Sequence, residues 1–151
     1  MIYQLECLPS VKGEMIPLLD EHWSETEPNQ DTIKLDPDWK EYAKLDAAGI
    51  LHIFTARDES GLVGYCVVMI SKSMHHKGHV FASTDVLYIK PDYRKSSAGA
   101  QLIRFADNYC KDSGVSLMTL NMKTEFPFDG LMVRMGFNLI ERVYHKCFLG
   151  K

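Results

Sequence analysis

Apolar positions along the chain recur with two different periods, and the changes of period mark the elements. IYQLECL (2–8) alternates apolar and polar residues and predicts an opening strand. After Ser10, the residues Val11, Met15, Leu18, Leu19 and His22 or Trp23 fall at helical spacing, with Pro17 inside the run as a late start or bend. ETEPNQDTIKLDP reads as loop. DPDWKEYAKLDAAG follows as a short second helix, with Pro37 in its first turn and Gly49 at its end. The β-branched and aromatic runs ILHIFTA (50–56), LVGYCVVMISKS (62–73) and VFASTDVLYI (80–89) are separated by the turn signals RDESG and MHHKGH. They predict three sequential antiparallel strands. Ala98, Leu102, Phe105, Ala106 and Tyr109 mark one face of a helix that runs to about residue 112 and stops at DSG. VSLMTLNM (115–122) is a strand, FDGLMVRM a short helical piece, and GFNLIERVYHKCFL (136–149) one or two final strands.

This order predicts one mixed α/β domain over residues 1–151. Its sheet has 6–7 strands, mostly antiparallel, with one parallel crossover pair, and about four helices flank it. Ligands of such sheets sit beyond the carboxyl ends of the parallel strands, beside the crossover helix. Between strand and helix lies IKPDYRKSSAGA (89–100). A helix starting near Ser97 leaves the amides of Lys95, Ser96, Ser97, Ala98, Gly99 and Ala100 as first-turn donors, with Arg94 and Lys95 adding charge. Small residues let an anion approach the backbone there. A serine-capped helix start that serves stability alone fits the same residues.

Composition narrows the classes. Apolar residues make up 46% and charged residues 25%, as in a folded globular domain. The net charge of −3 argues against a general nucleic-acid binder. No apolar run approaches the roughly 20 residues a membrane helix needs, and MIYQLECLPS lacks a secretory pattern. Cys7, Cys66, Cys110 and Cys147 show no paired spacing and read as free thiols in a reducing cytoplasm. The charge is uneven: residues 20 to 46 carry nine acids against three lysines. That segment is either a solvated face or an acidic rim for a cationic substrate. Trp23 and Trp39 within it pack a lid or stack on a cation. His75, His76 and His79 share one short turn with no fourth ligand signalled, and no metal site is expected.

VLYIKPDYRKSSAGAQLIRFA resembles the acetyl-CoA-binding motif of the GNAT N-acetyltransferase superfamily, R/Q-x-x-G-x-G/A after a strand. Arg94 takes the first position, Ser97 stands where the first glycine is usual, and Gly99 matches the second. The element order and MGF (135–137) extend the resemblance over residues 50–148, and the chain is similar to members encoded by bacteriophages. The resemblance implies acetyl-CoA as cofactor, with Arg94 and the loop amides on the pyrophosphate. The backbone of Leu87, Tyr88 and Ile89 would lie along the pantetheine. It also implies acetyl transfer to a primary amine by direct attack in a ternary complex, in the cytoplasm (of the bacterial host, for a phage-encoded chain). A homodimer is compatible with it.

Attack requires a neutral amine, so a base or a proton path is useful. Asp85 lies where several family members carry a glutamate. By period-two alternation it shares a face with Leu87 and Ile89, as general base or amine anchor. Met132 stands where the family's tyrosine usually reprotonates the thiolate, which leaves Tyr144, Tyr88 or solvent for that task. Glu125 lies near the place of a family asparagine that contacts CoA. A non-catalytic CoA-binding or interaction module on the same scaffold is the alternative. The amine is open: a polyamine-like or aminoglycoside-like molecule, a nucleobase amine, or a protein lysine or N-terminus. The acidic segment inclines the reading to a cationic small amine or a lysine side chain.

Overall fold

A computed structural model describes residues 1–150. The elements are β1 (Ile2–Glu6), α1 (Leu8–Thr26), α2 (Trp39–Ala47), β2 (Leu51–Asp58), β3 (Gly61–Lys72), β4 (Val80–Ile89), α3 (Ala98–Asp112), β5 (Leu117–Thr119) and α4 (Asp129–Arg134), with a 3-10 turn at Pro91–Tyr93. One five-stranded sheet has the order β1-β2-β3-β4-β5, antiparallel except for the β4–β5 pair. β2 and β3 are apolar on both faces because both faces are covered. On one face Val11, Met15 and Leu18 of α1 pack on Ile53, Tyr65, Val67 and Tyr88, with Trp39, Tyr42 and Leu45 of α2 at the margin. On the other, Leu102, Ala106 and Cys110 of α3 pack on Phe54, Cys66, Val68 and Ile89.

The expected 6–7 strands reduce to five. The strand foreseen over 115–122 keeps only Leu117–Thr119, and residues 136–149 form no strand within the chain. α1 neither starts late nor breaks at Pro17 but runs unbroken for 19 residues. The proline ring crowds the carbonyl four residues earlier, and here that residue is Gly13, exposed and with open space around it.

Two local features of β4 shape the edge it presents. Its register with β3 slips by one: Val67 faces Val86 while Val68 faces Thr84, so Asp85 is an extra, unpaired residue. Such a bulge bends the strand and re-aims side chains. Beyond it, β4 lies very close to β3 at Gly64, where a Cβ would meet the Tyr88 carbonyl oxygen at 2.7 Å and the Ile89 side chain.

Candidate active site

The parallel pairing of β4 with β5 ends after Ser83–Thr119, although β4 continues for six more residues. Thr84 sits at the point of divergence, 5% exposed, where its hydroxyl donates to Thr119 O (2.9 Å) and accepts the Asn121 N–H (3.2 Å). A side chain thereby replaces the backbone ladder where the strands part. Further along, Lys90 N–H donates to Val63 O. Antiparallel alternation then turns the N–H and C=O of Leu87 and Ile89 away from β3, toward the edge that β5 has left.

This edge runs toward the start of α3. Tyr93 anchors the intervening loop by donating to Asp58 Oδ2 in the β2–β3 turn (2.5 Å). Asp58 also accepts the Ser60 hydroxyl and amide, and these donors hold its carboxyl down at about 2. Within the loop, Arg94 N–H and Ser96 N–H are taken by Pro91 O and Tyr93 O, and Ala98 N–H by Ser96 Oγ. Lys95, Ser97, Gly99 and Ala100 keep backbone donors without an acceptor among the described residues, in an exposed or half-exposed segment. A Cβ on Gly99 would make only ordinary contact with Ile89, at 3.6 Å, so packing inside the chain does not require this glycine. Its missing side chain instead opens the approach from outside.

Arg94 is placed differently from the expectation. Its Nε donates to Ile89 O (2.8 Å) and its Nη2 to both oxygens of Glu25 on α1 (2.8 and 3.0 Å), while the guanidinium lies over the Tyr88 ring at 5.3 Å. Only Nη1 is left to meet an anion. The Tyr88 side chain is likewise committed: it is 3% exposed, donates to Glu21 (2.9 Å) and stacks on His22 at 5.0 Å. Burial and the neighbouring Glu21 push the Tyr88 phenol well above its ordinary range, and burial pushes His22 down, so that it stays neutral at pH 7. What Tyr88 offers a ligand is therefore backbone alone.

The bulge decides where Asp85 points. Leu87 and Ile89 face α3, whereas Asp85 lines a cavity of about 250 Å3 on the α1–α2 face with Asp38, Glu41, Tyr42, Leu45, Leu51 and Met69. The expected common face of Asp85, Leu87 and Ile89 does not form, because the inserted residue breaks the alternation. Loss of hydration raises the Asp85 carboxyl above its ordinary value, and the facing Tyr42 phenol opposes that rise. Burial first, and then Asp85, raise Tyr42 in turn. Asp85 stays open to solvent on one side.

Tyr144 is 88% exposed, in a segment outside the sheet. Met132, foreseen in place of a proton-donating tyrosine, is 8% exposed and carries no proton to give. The buried thiols Cys66 and Cys110 are pushed up to about 12 and about 11, too high for a thiolate nucleophile. His76 bonds Ser73 and stacks on Phe81, and His79 bonds Ser116 at 2.7 Å. No group among the described residues is arranged for a metal ion.

Sequence reading missed Thr84, Glu25 and Tyr42. Tyr42 carries a legible signal, since Asp38, Tyr42 and Leu45 recur at helical spacing and mark the face of α2 toward the sheet. Glu25 had none beyond the acidic run.

The sequence model of the Acetyltransferase (GNAT) domain family matches residues 49–139, more than half of the chain. The chain belongs to the GNAT acetyltransferases. Solved structures agree in fold. An aminoglycoside acetyltransferase from an uncultured soil metagenomic sample, solved with sisomicin, aligns with TM-score 0.73 at 15% identity, covering 99% of this chain and 96% of that one. A ribosomal-protein-alanine N-acetyltransferase from Brucella melitensis biovar Abortus 2308 gives 0.70 at 20%, covering 98% and 100%. Glucosamine-6-phosphate N-acetyltransferase from Arabidopsis thaliana gives 0.73 at 14%, covering 98% and 99%. No curated protein matches in sequence. GNAT acetyltransferases generally use acetyl-CoA, and the open β4 edge leading to free amides at the start of α3 fits such an elongated, anion-bearing group.

Proposed function

We propose that this GNAT chain transfers an acetyl group from acetyl-CoA to a primary amine, attacked directly within a ternary complex. The observation that carries the reading is the early end of the β4–β5 ladder, which leaves the Leu87 and Ile89 backbone free beside the unpaired amides of α3. The Lys95, Ser97, Gly99 and Ala100 amides hold the pyrophosphate, helped by the helix dipole and Arg94 Nη1. Leu87 contributes both N–H and C=O to the pantetheine, while Ile89 contributes N–H, its carbonyl being occupied by Arg94. Acetyl-CoA supplies the activated acyl group as a thioester.

Asp85 receives the ammonium from the α1–α2 face and accepts its proton, directly or through water. The raised carboxyl moves toward working pH, which is what a general base requires. Tyr42 fixes the carboxylate orientation. Asp38 and Glu41 line the same cavity against apolar Leu45, Leu51 and Met69. That lining supports a cationic amine on an alkyl stem: a small amine or a lysine side chain. Solvent reprotonates the thiolate, since Tyr144 is turned outward in the single chain and a thiol of pKa near 8.5 leaves unaided. The exposed Cys7 and other free thiols support a reducing, cytoplasmic setting.

A second reading, a CoA-binding module without catalysis, draws on the proton-less Met132 and the locked Arg94. Thermal shift with CoA and thiol release over an amine panel separate the two. Stabilisation by CoA with amine-dependent release that collapses in Asp85→Asn is expected. Stabilisation without release for any amine or peptide favours the binding module, and no shift at millimolar CoA refutes both.

A further inference from the structure

His22 is a half-buried titratable group with no task in the chemistry above, and its surroundings point to one. Its Nδ1 lies 3.2 Å from the Tyr65 hydroxyl, which is fully buried on β3, and its ring stacks on Tyr88 with centroids 5.0 Å apart. The Arg94 guanidinium lies over the same Tyr88 ring at 5.3 Å. Glu21 accepts the Tyr88 hydroxyl, and both oxygens of Glu25 hold Arg94. Glu21, His22 and Glu25 thus bring the last turns of α1 onto the residue behind the free β4 edge and onto the arginine of the loop.

His22 and Glu25 stand three residues apart on one helix, which makes them surface neighbours. Glu25 therefore has one permanent cation beside it and one conditional one. Burial keeps the imidazole neutral at pH 7; Lys123 and Arg94 also oppose its charge, while Glu27 and Glu25 favour it. Glu27 itself pairs with Lys123 at 3.5 Å. With His22 neutral, Arg94 takes the Glu25 carboxylate alone. We infer that His22 is a positioning residue for the cofactor: its charge state sets whether Glu25 holds Arg94 on α1 or Arg94 turns to the pyrophosphate. The inference rests on the reading of the loop before α3 as the pyrophosphate site.

Three effects of an imidazolium act in the same direction. It offers Glu25 a second cation, it repels the guanidinium that shares the Tyr88 ring, and it adds positive charge near the anion. Charging loses no bond at Nδ1, because an imidazolium donates there and the Tyr65 hydroxyl can accept. Tyr65 and Tyr88 are pushed far above neutral and do not titrate in this range. An anion that prefers the protonated protein takes up protons as it binds, by linkage. Affinity for the pyrophosphate therefore rises as pH falls through the His22 pKa, which lies below the ordinary histidine value.

Titration calorimetry of the full chain with dephospho-CoA, from about pH 7.5 to about 5.5, tests this. The probe keeps the pyrophosphate and lacks the 3′-phosphomonoester, whose own pKa near 6 would mask the response. The wild type should bind about two- to fivefold tighter at the acid end, the effect of freeing one partly exposed ion pair. It should also take up part of a proton, counted in two buffers of different ionisation heat. His22→Asn keeps a hydrogen-bonding group near Tyr65 but cannot charge, so it should show neither the rise nor the uptake. Glu25→Gln should bind at neutral pH as tightly as the wild type does in acid. Asp85→Asn removes the raised carboxyl on β4 and should keep the wild-type response. The proton count and Glu25→Gln leave His22 in place, so they decide the matter if His22→Asn does not fold. A wild-type affinity that is flat or falls toward acid overturns the inference, as does a His22→Asn variant that keeps the rise. Absence of binding at every pH, in wild type and Glu25→Gln alike, overturns the reading of the loop and the inference with it.

Discussion

Replacing Thr84 by valine removes a hydroxyl at nearly constant volume, so the change isolates the peg between β4 and β5. Two hydrogen bonds are lost, one donated to Thr119 O and one accepted from Asn121 N–H. A hydrogen bond contributes about 0.5–1.5 kcal/mol net, which places Thr84→Val at roughly 1–3 kcal/mol of destabilisation. No cavity adds to this, because valine fills the same space. Thr84→Ser keeps both bonds and gives up one methyl, about 0.8 kcal/mol at a site only 5% exposed. Urea unfolding with a shared m-value measures both. For a domain of this size, 1–3 kcal/mol corresponds to about 2 to 12 °C in Tm. The KM for acetyl-CoA should rise in the valine variant and stay near wild type in the serine variant, because strand separation is set by the hydroxyl. A valine variant within about 0.5 kcal/mol of wild type, or a serine variant the weaker of the two, would refute the assignment of the peg.

Asp85→Asn should lower activity yet raise Tm at pH 7. The folded state raises this carboxyl, so its ionisation costs stability as pH rises through the folded pKa, and the gain from asparagine should vanish below the ordinary carboxylate range. Glu6 behaves oppositely: burial raises it, but the hydrogen bonds from Arg57 and Thr55 prevail and its pKa falls. Its contribution is present above the ordinary glutamate pKa and is lost as pH drops through the lowered one. Arg57→Met, which breaks a pair only 18% and 12% exposed, should therefore cost about 3 kcal/mol at pH 7 in thermal unfolding and less in acid. Glu25→Gln frees the Arg94 guanidinium from α1 and should enlarge the thermal shift given by CoA. With a thiol reagent on the native protein, Cys7 should react at once, and Cys66 and Cys110 only on unfolding.

The meander, its turns and the crossover helix were legible because their hydrophobic periods are local and their partners adjacent in sequence. The bulge at Asp85 was not, since an extra residue in one strand leaves no trace in a pattern read one strand at a time. The loop illustrates the limit for charge. Arg94 reads as a ligand for phosphate, but a carboxylate 69 residues earlier in the chain claims two of its bonds. Residues 136–149 have the composition of strands, yet pairing is a property of two segments in register, which composition alone does not carry.

Gly64 lies on β3, on the side of β4 away from the cleft, and no chemistry passes through it. Because a Cβ there would press on the Tyr88 carbonyl, any other residue must push β4 outward, shifting the free edge toward the cleft. In a randomised library this position should therefore return glycine nearly as strictly as the loop does. Selection for acetyl transfer would enrich it through strand spacing alone, so a silent backbone position would look like a binding residue to anyone reading only the survivors.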